Sequence, residues 1–223
     1  MDTIYRGDLT TPAGRRNAWI DALFVDHAVF RLAWTNFAAV APGVLYRANH
    51  PLPFHLDRFA RRVGLKTLIN LRGQCRNGSD ALSREAAARL HLDFVDMPVE
   101  SRGAPQRARI LRLADIYRTM RRPALIHCKS GADRAGIAAA LFILIEDGSS
   151  VEAQRQLSWR FGHIKQSSTG ILDEFLKTYA REAEGRRPFL TWVAEDYDET
   201  LLRERFQSRS MARFVNDRIL RRE

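Results

Sequence analysis

At 223 residues the chain is long enough for one domain, or one with extensions, that buries a substantial core, and its 45% hydrophobic and 28% charged side chains read as soluble and globular. Its net charge of +10 comes almost wholly from arginine, for the lysines are four, Lys66, Lys129, Lys165 and Lys177. Such a field attracts phosphorylated or otherwise anionic partners, but no stretch interleaves basic and aromatic residues as a nucleic-acid recognition module does. Two cysteines make no disulfide scaffold, which points to a reducing compartment and, by default, the cytoplasm.

The first sixteen residues include Asp2 and Asp8 and lack the apolar core of a secretory leader. Residues 17–35 are predicted as an apolar helical stretch carrying Trp19, Ile20, Leu23, Phe24, Val29, Phe30, Leu32 and Trp34. Asp21, Asp26, His27 and Arg31 interrupt it too often for a membrane span, leaving a helix packed on the core or lying on a membrane surface. Short strands are expected at 44–47, 67–71 and 94–97, the second a continuous apolar run of the kind buried on both faces of a parallel sheet. Helices are expected over 56–63, from a Ser83 cap to about Leu90, and from Pro105 to about Met120. A central strand, 124–127, then leads through a tight loop into 135–145, a helix apolar all round and therefore buried. Further helices are read over 151–161 and 170–181, and a basic one over 201–222 after the break Gly185-Arg186-Arg187-Pro188. Strands alternating with helices give an α/β fold, a three-layer sandwich with a mainly parallel central sheet of about four to five strands. The expected organisation is an N-terminal helical extension (1–40), a catalytic domain (41–183) and a C-terminal basic helical extension (184–223).

The chemistry concentrates in His127-Cys128-Lys129-Ser130-Gly131-Ala132-Asp133-Arg134. The order strand, loop, helix sets successive backbone N–H groups at a helix N-terminus, an anion site. A thiol among those dipoles and beside an arginine ionises easily, and Arg134 offers a planar fork for two oxygens of a phosphoryl group. Lys129, Ser130, Gly131, Ala132, Asp133 and Arg134 would cradle the oxyanion, and Cys128 would attack phosphorus. A buried structural cysteine followed by a glycine chosen for its backbone explains Cys128 or Gly131 singly, but not both framed by His127 and Arg134.

His-Cys-x5-Arg-x-Gly resembles the signature loop of the cysteine-dependent protein tyrosine and dual-specificity phosphatases. The segments at 42–47, 64–73 and 93–98 are similar to compact bacterial members, so that the resemblance covers about residues 40–180. Rhodanese-type sulfurtransferases share the Cys-Lys-Ser-Gly beginning, but their usual loop is one residue shorter. What the resemblance implies is a metal-independent phosphomonoesterase, without cofactor, forming a cysteinyl-phosphate intermediate. An aspartate roughly thirty residues before the cysteine supplies the leaving-group proton in such enzymes, a part that falls to Asp96 first and to Glu100 second. Asp133 is an outside candidate, its carboxylate expected to point away and brace the loop, because a charge facing phosphate repels it.

His127 is expected to hydrogen-bond the loop, Gly136 to let the first helical turn pack closely, and Arg72 to reach the crevice at the strand ends. His163, Lys165 and Gln166 are candidates for a pocket wall, with solvent-facing loop residues the stronger expectation. Cys75 is a candidate redox partner of Cys128, as in phosphoinositide 3-phosphatases that protect an oxidised nucleophile with a second cysteine. One position departs from the family: the serine or threonine usual after the arginine is Ala135, which is expected to slow hydrolysis of the intermediate and leaves a phosphate-binding pseudophosphatase as a second class. Lys129, which the phosphoinositide 3-phosphatases share, adds a lipid or inositol-phosphate phosphatase at an anionic membrane surface as the alternative substrate class.

Overall fold

The computed structural model describes residues 3–208. Five strands form one sheet in the order β1-β2-β5-β3-β4: β1 (Ala38–Ala41), β2 (Leu45–Ala48), β3 (Thr67–Asn70), β4 (Asp93–Asp96) and β5 (Ala124–His127). All neighbours are parallel except β1, which runs antiparallel to β2 at one edge. The register aligns Ala48, His127, Asn70 and Asp96 across the sheet. The chain therefore leaves four parallel strands at one common edge, where the crevice of an open α/β sheet lies.

Side chains alternate along each strand, and the two faces sort accordingly. Leu68 and Leu125 pack with Leu56 and Phe59 of α2 (Pro53–Val63) and Ala86 and Ala87 of α3 (Gly78–Arg89). Ile69 and Ile126 face the larger layer, which is built on α4 (Arg107–Thr119), α5 (Asp133–Ile145), α6 (Ser150–Arg155) and α7 (Ile171–Glu182). From Ala135 to Leu144, α5 is buried except at Ile143, and its run of alanines lets it lie close to the sheet. Tyr117 of α4 donates to Ala138 O at 2.8 Å, satisfying its hydroxyl inside the core.

The sequence reading missed two elements. The strand β1 consists mostly of alanine and has little β signature, while α8 (Phe189–Glu195) follows the 185–188 break directly. Phe189, Trp192, Val193 and Tyr197 join the same core as α5, so the chain after 184 closes one end of that layer before a further helix begins at 199. The part of the predicted basic helix beyond Ser208 lies outside the described residues.

Residues 17–35 are not one helix. α1 (Pro12–Ile20) passes into a wide π turn, Asp21–Val25, and then a 3₁₀ turn, Ala28–Arg31, with His27 left-handed between them at φ 57°. The Asp21 carboxylate is buried and accepts from the backbone of Ile4 and Gly78, which pulls the chain out of helical register. Ser83, expected to cap α3, is buried inside it; Asn77 caps instead, its side chain accepting from Asp80 N–H. Among the described residues no helix is long and apolar enough to cross a membrane.

Candidate active site

At the end of β5 the loop 128–132 bends tightly enough for the Gly131 amide to donate to Cys128 Sγ at 3.2 Å. Gly131 has φ 76°, and a Cβ there would lie 2.8 Å from Asn49 N and 2.9 Å from Ala48 C. Cys128 is 3% exposed. The amide of Gly136 is the one that bonds back to Ala132 O at 2.8 Å, so the Asp133, Arg134 and Ala135 amides at the start of α5 have no intrahelical partner. Arg134 has no hydrogen-bond or ion-pair partner among the described residues, and its Nε is buried. An open cavity of about 180 Å³ joins Cys128, Lys129, Ser130, Asp133 and Arg134 to Ser101 from the loop after β4.

The loop is braced from beneath by Arg47, which the sequence reading gave no role. It is fully buried in β2, donates to Gly131 O at 2.6 Å, Ala132 O at 3.1 Å and Gln156 O at 2.7 Å, and lies over the Phe161 ring at 3.9 Å. Burial lowers its pKa to about 10 against the attraction of Cys128 and Asp133, and it stays cationic at neutral pH. The alternation of β2 carried a signal: Arg47, two residues after Leu45, shares its face of the strand, and an arginine on that face must find partners within the core. Asn36 adds a second brace, donating to Ser130 O and Phe161 O. At Gly136 a Cβ would lie 2.7 Å from Leu157 Cδ2 and 2.9 Å from Gln156 O, so the first turn of α5 meets the chain after α6 closely.

Several expected positions differ. Arg72 does not line the cavity: it makes a bidentate pair with Asp26 at 2.9 Å and reaches His50 Nδ1 at 3.0 Å. Asp26, contributed by the N-terminal segment, also takes Arg31 at 2.9 Å and lies 3.5 Å from Lys129 Nζ. Burial alone would raise its pKa; the Arg72 and Arg31 guanidiniums outweigh that and hold it at about 2. His127 was expected to hydrogen-bond the loop, yet neither ring nitrogen has a partner among the described residues. It packs against the His50 ring at 4.7 Å instead, and burial, with nearby Arg72, Arg31 and Arg84, drives its pKa down to about 3. Both rings are neutral near pH 7, His50 for the same reason.

Asp96 is engaged elsewhere: both oxygens accept from Arg84 Nη2 at 2.8 Å, and Asn70 donates to one at 3.0 Å. Glu100 adjoins Ser101, which lines the cavity; its Oε1 pairs with Arg109 at 2.5 Å, and its Oε2 is buried without a partner. Asp133 lines the cavity while its Oδ1 meets Nδ1 of His163 at 2.7 Å. His163 is fully buried rather than facing solvent. Both cysteines are free; Cys75 is half-buried, burial raises its pKa, and it lines a separate cavity of about 430 Å³ with Tyr5, Arg76 and Arg84. Among the described residues no cluster of three or more His, Cys, Asp or Glu side chains is arranged to hold a metal.

Residues 58–172 match a family model described as a DSP-PTPase phosphatase fused to NAD+ kinase. Among solved structures the chain is similar to TpbA of P. aeruginosa, with a TM-score of 0.55 and 19% identity over 70% of this chain and 91% of that one. A complex of TpbA with phosphotyrosine gives a TM-score of 0.53 at 20% identity over 70% and 91%. The catalytic core of the PP-IP phosphatase SIW14 from S. cerevisiae gives 0.52 at 17% identity, over 66% and 91%. No curated protein sequence matches the chain.

Proposed function

This chain belongs to the DSP-PTPase family of cysteine-based phosphatases, and on that premise we propose that it hydrolyses phosphomonoesters through a cysteinyl-phosphate intermediate on Cys128. The observation that carries the reading is the pairing of a buried Sγ, held by the Gly131 amide, with an Arg134 guanidinium that has no partner among the described residues. Cys128 attacks phosphorus. Arg134 and the amides of the loop from Lys129 through Arg134 take the equatorial oxygens, whose charge grows in the transition state. Water then releases phosphate. Because each of these charges is met by the chain's own donors, catalysis requires no metal and no cofactor.

For the leaving-group proton the geometry favours Glu100 over Asp96. Both oxygens of Asp96 are held, by Arg84 and Asn70, whereas Glu100 pairs with Arg109 through Oε1 alone, keeps Oε2 without a partner among the described residues, and adjoins Ser101, which lines the cavity. Glu100→Gln should slow aryl phosphates with poor leaving groups far more than those with good ones. If Asp96→Asn shows that selectivity and Glu100→Gln does not, the role returns to Asp96.

Two substrate classes are separable. Phosphotyrosine, the ligand in one TpbA structure, suits a deep loop under a protein surface. A phosphate on a lipid or inositol is favoured by a second observation, the exposed apolar residues next to the loop. Trp159 is 87% and Ile164 56% exposed, and Trp34, 47% exposed, lies against the Gly162 turn, with Lys129 also exposed nearby. Turnover on phosphotyrosine peptides, phosphoserine peptides and anionic phospholipid vesicles decides between them. Binding of phosphate without turnover of any of the three would identify a pseudophosphatase, as Ala135 leaves open.

A further inference from the structure

Asp133 puts a carboxylate into a loop built for oxyanions, where it should repel the phosphoryl group. The fold answers that with a chain of charges. His163 Nδ1 is 2.7 Å from Asp133 Oδ1, and its Nε2 is 2.6 Å from Asp173 Oδ2 on α7. Asp173 Oδ1 in turn lies 3.8 Å from Lys165 Nζ. The His163 ring has no exposed surface, and each of its nitrogens faces a carboxylate oxygen. A neutral imidazole carries one N–H and would turn a lone pair toward one of those oxygens; both contacts are satisfied only when both nitrogens donate.

We infer that His163, as an imidazolium, is a positioning residue for the phosphate loop: it neutralises Asp133, fixes its orientation through Oδ1, and so allows the loop to hold an oxyanion beside a carboxylate. The inference rests on the phosphatase reading above. Asp133, His163, Asp173 and Lys165 alternate in sign and cancel, so the loop gains Arg134 and its amides without a net negative neighbour. The backbone serves the same end. Gly162, at φ 82°, turns the chain after the Trp159–Phe161 turn and delivers His163 to the start of α5. Asn36 ties Ser130 O to Phe161 O and holds the two loops together. Burial would lower the His163 pKa, but its hydrogen bonds to the Asp133 and Asp173 carboxylates raise it to about 9, which keeps the ring charged at neutral pH.

The test is tungstate affinity, because tungstate mimics phosphate and stays a dianion through the alkaline range. His163→Gln should weaken tungstate binding by about tenfold or more, through the exposed Asp133 charge. Adding Asp133→Asn to that variant should restore binding to within about threefold of Asp133→Asn alone. A merely structural histidine would not be rescued by removing a neighbouring charge. In the wild type, tungstate affinity should fall as pH rises through about 9, and Asp133→Asn should remove that fall. This second measurement stands even when His163→Gln does not fold. Equal affinity for wild type and His163→Gln, a double variant as weak as His163→Gln, or a flat wild-type profile overturns the inference. Absence of tungstate binding in the wild type, indifferent to Arg134→Ala, would overturn the phosphatase reading itself.

Discussion

Raising the pH from 6.5 to 9.5 should destabilise the folded protein mainly through one residue. His163 titrates near 6.5 in an unfolded chain and at about 9 in the fold. A group whose folded pKa is raised contributes stability that is fully present below its unfolded pKa and is lost as pH rises through the folded value. At about 1.4 kcal/mol for each pH unit between the two values, the contribution is about 3 kcal/mol. That is a large part of the roughly 5–15 kcal/mol that holds a domain folded. For a chain of this size it corresponds to a fall in melting temperature of about 6–12 °C. His50 and His127 are neutral in the fold and affect stability only as pH falls below about 6.5, while Cys75, whose pKa burial raises, acts at the alkaline end of the window in wild type and variant alike. Urea unfolding at a series of pH values, in wild type and His163→Gln, measures the effect. Wild type should lose more stability across the window than the glutamine variant, in which position 163 cannot titrate. A level wild-type profile, or equal slopes in the two proteins, would refute the assignment of His163 as a buried cation.

Three further outcomes are expected. Gly131→Ala should destabilise the fold by about 2 kcal/mol or more and abolish the rise in melting temperature given by vanadate, since the new Cβ meets the backbone of Ala48 and Asn49 at a left-handed position; full retention of both would show that the loop is not held as described. Ala135→Ser should shrink the burst of product in rapid mixing by restoring a hydroxyl beside the leaving thiolate, and identical bursts would count against a slow hydrolytic step. Mild peroxide should give a linked Cys75–Cys128 peptide, with activity regained on adding a dithiol; peptide maps holding both cysteines unlinked would remove Cys75 from any redox role.

The fold was legible where pattern and chemistry coincide. β5, the loop and α5 stand out because the apolar run Pro123–Ile126, a glycine-bearing loop and an all-round apolar helix follow closely on one another. β1 was not legible, since Ala38-Ala39-Val40-Ala41 has no period-two alternation and gains its place by pairing with β2. In the site, Cys128 and Arg134 are visible from local spacing alone. The supports are long-range: Asp26 reaches Arg72 across 46 positions, Arg47 reaches Gly131 across 84, and Asn36 reaches Phe161 across 125. Such contacts leave no periodic trace, and Asp26 and His163 in particular look in sequence like ordinary polar residues of a surface segment. Asp96 illustrates the converse, a carboxylate at the right distance before the cysteine whose hydrogen bonds go to Arg84 and Asn70.

The central claim is a phosphoryl group carried on Cys128. Acid quenching within the first turnover of an aryl phosphate, followed by peptide mass spectrometry, tests it most directly. The expected result is the mass of one phosphoryl group on the peptide containing Cys128 in wild type, and neither label nor turnover in Cys128→Ser. Turnover that persists in Cys128→Ser, or that proceeds in wild type with no phosphorylated cysteine at any time, would contradict the account.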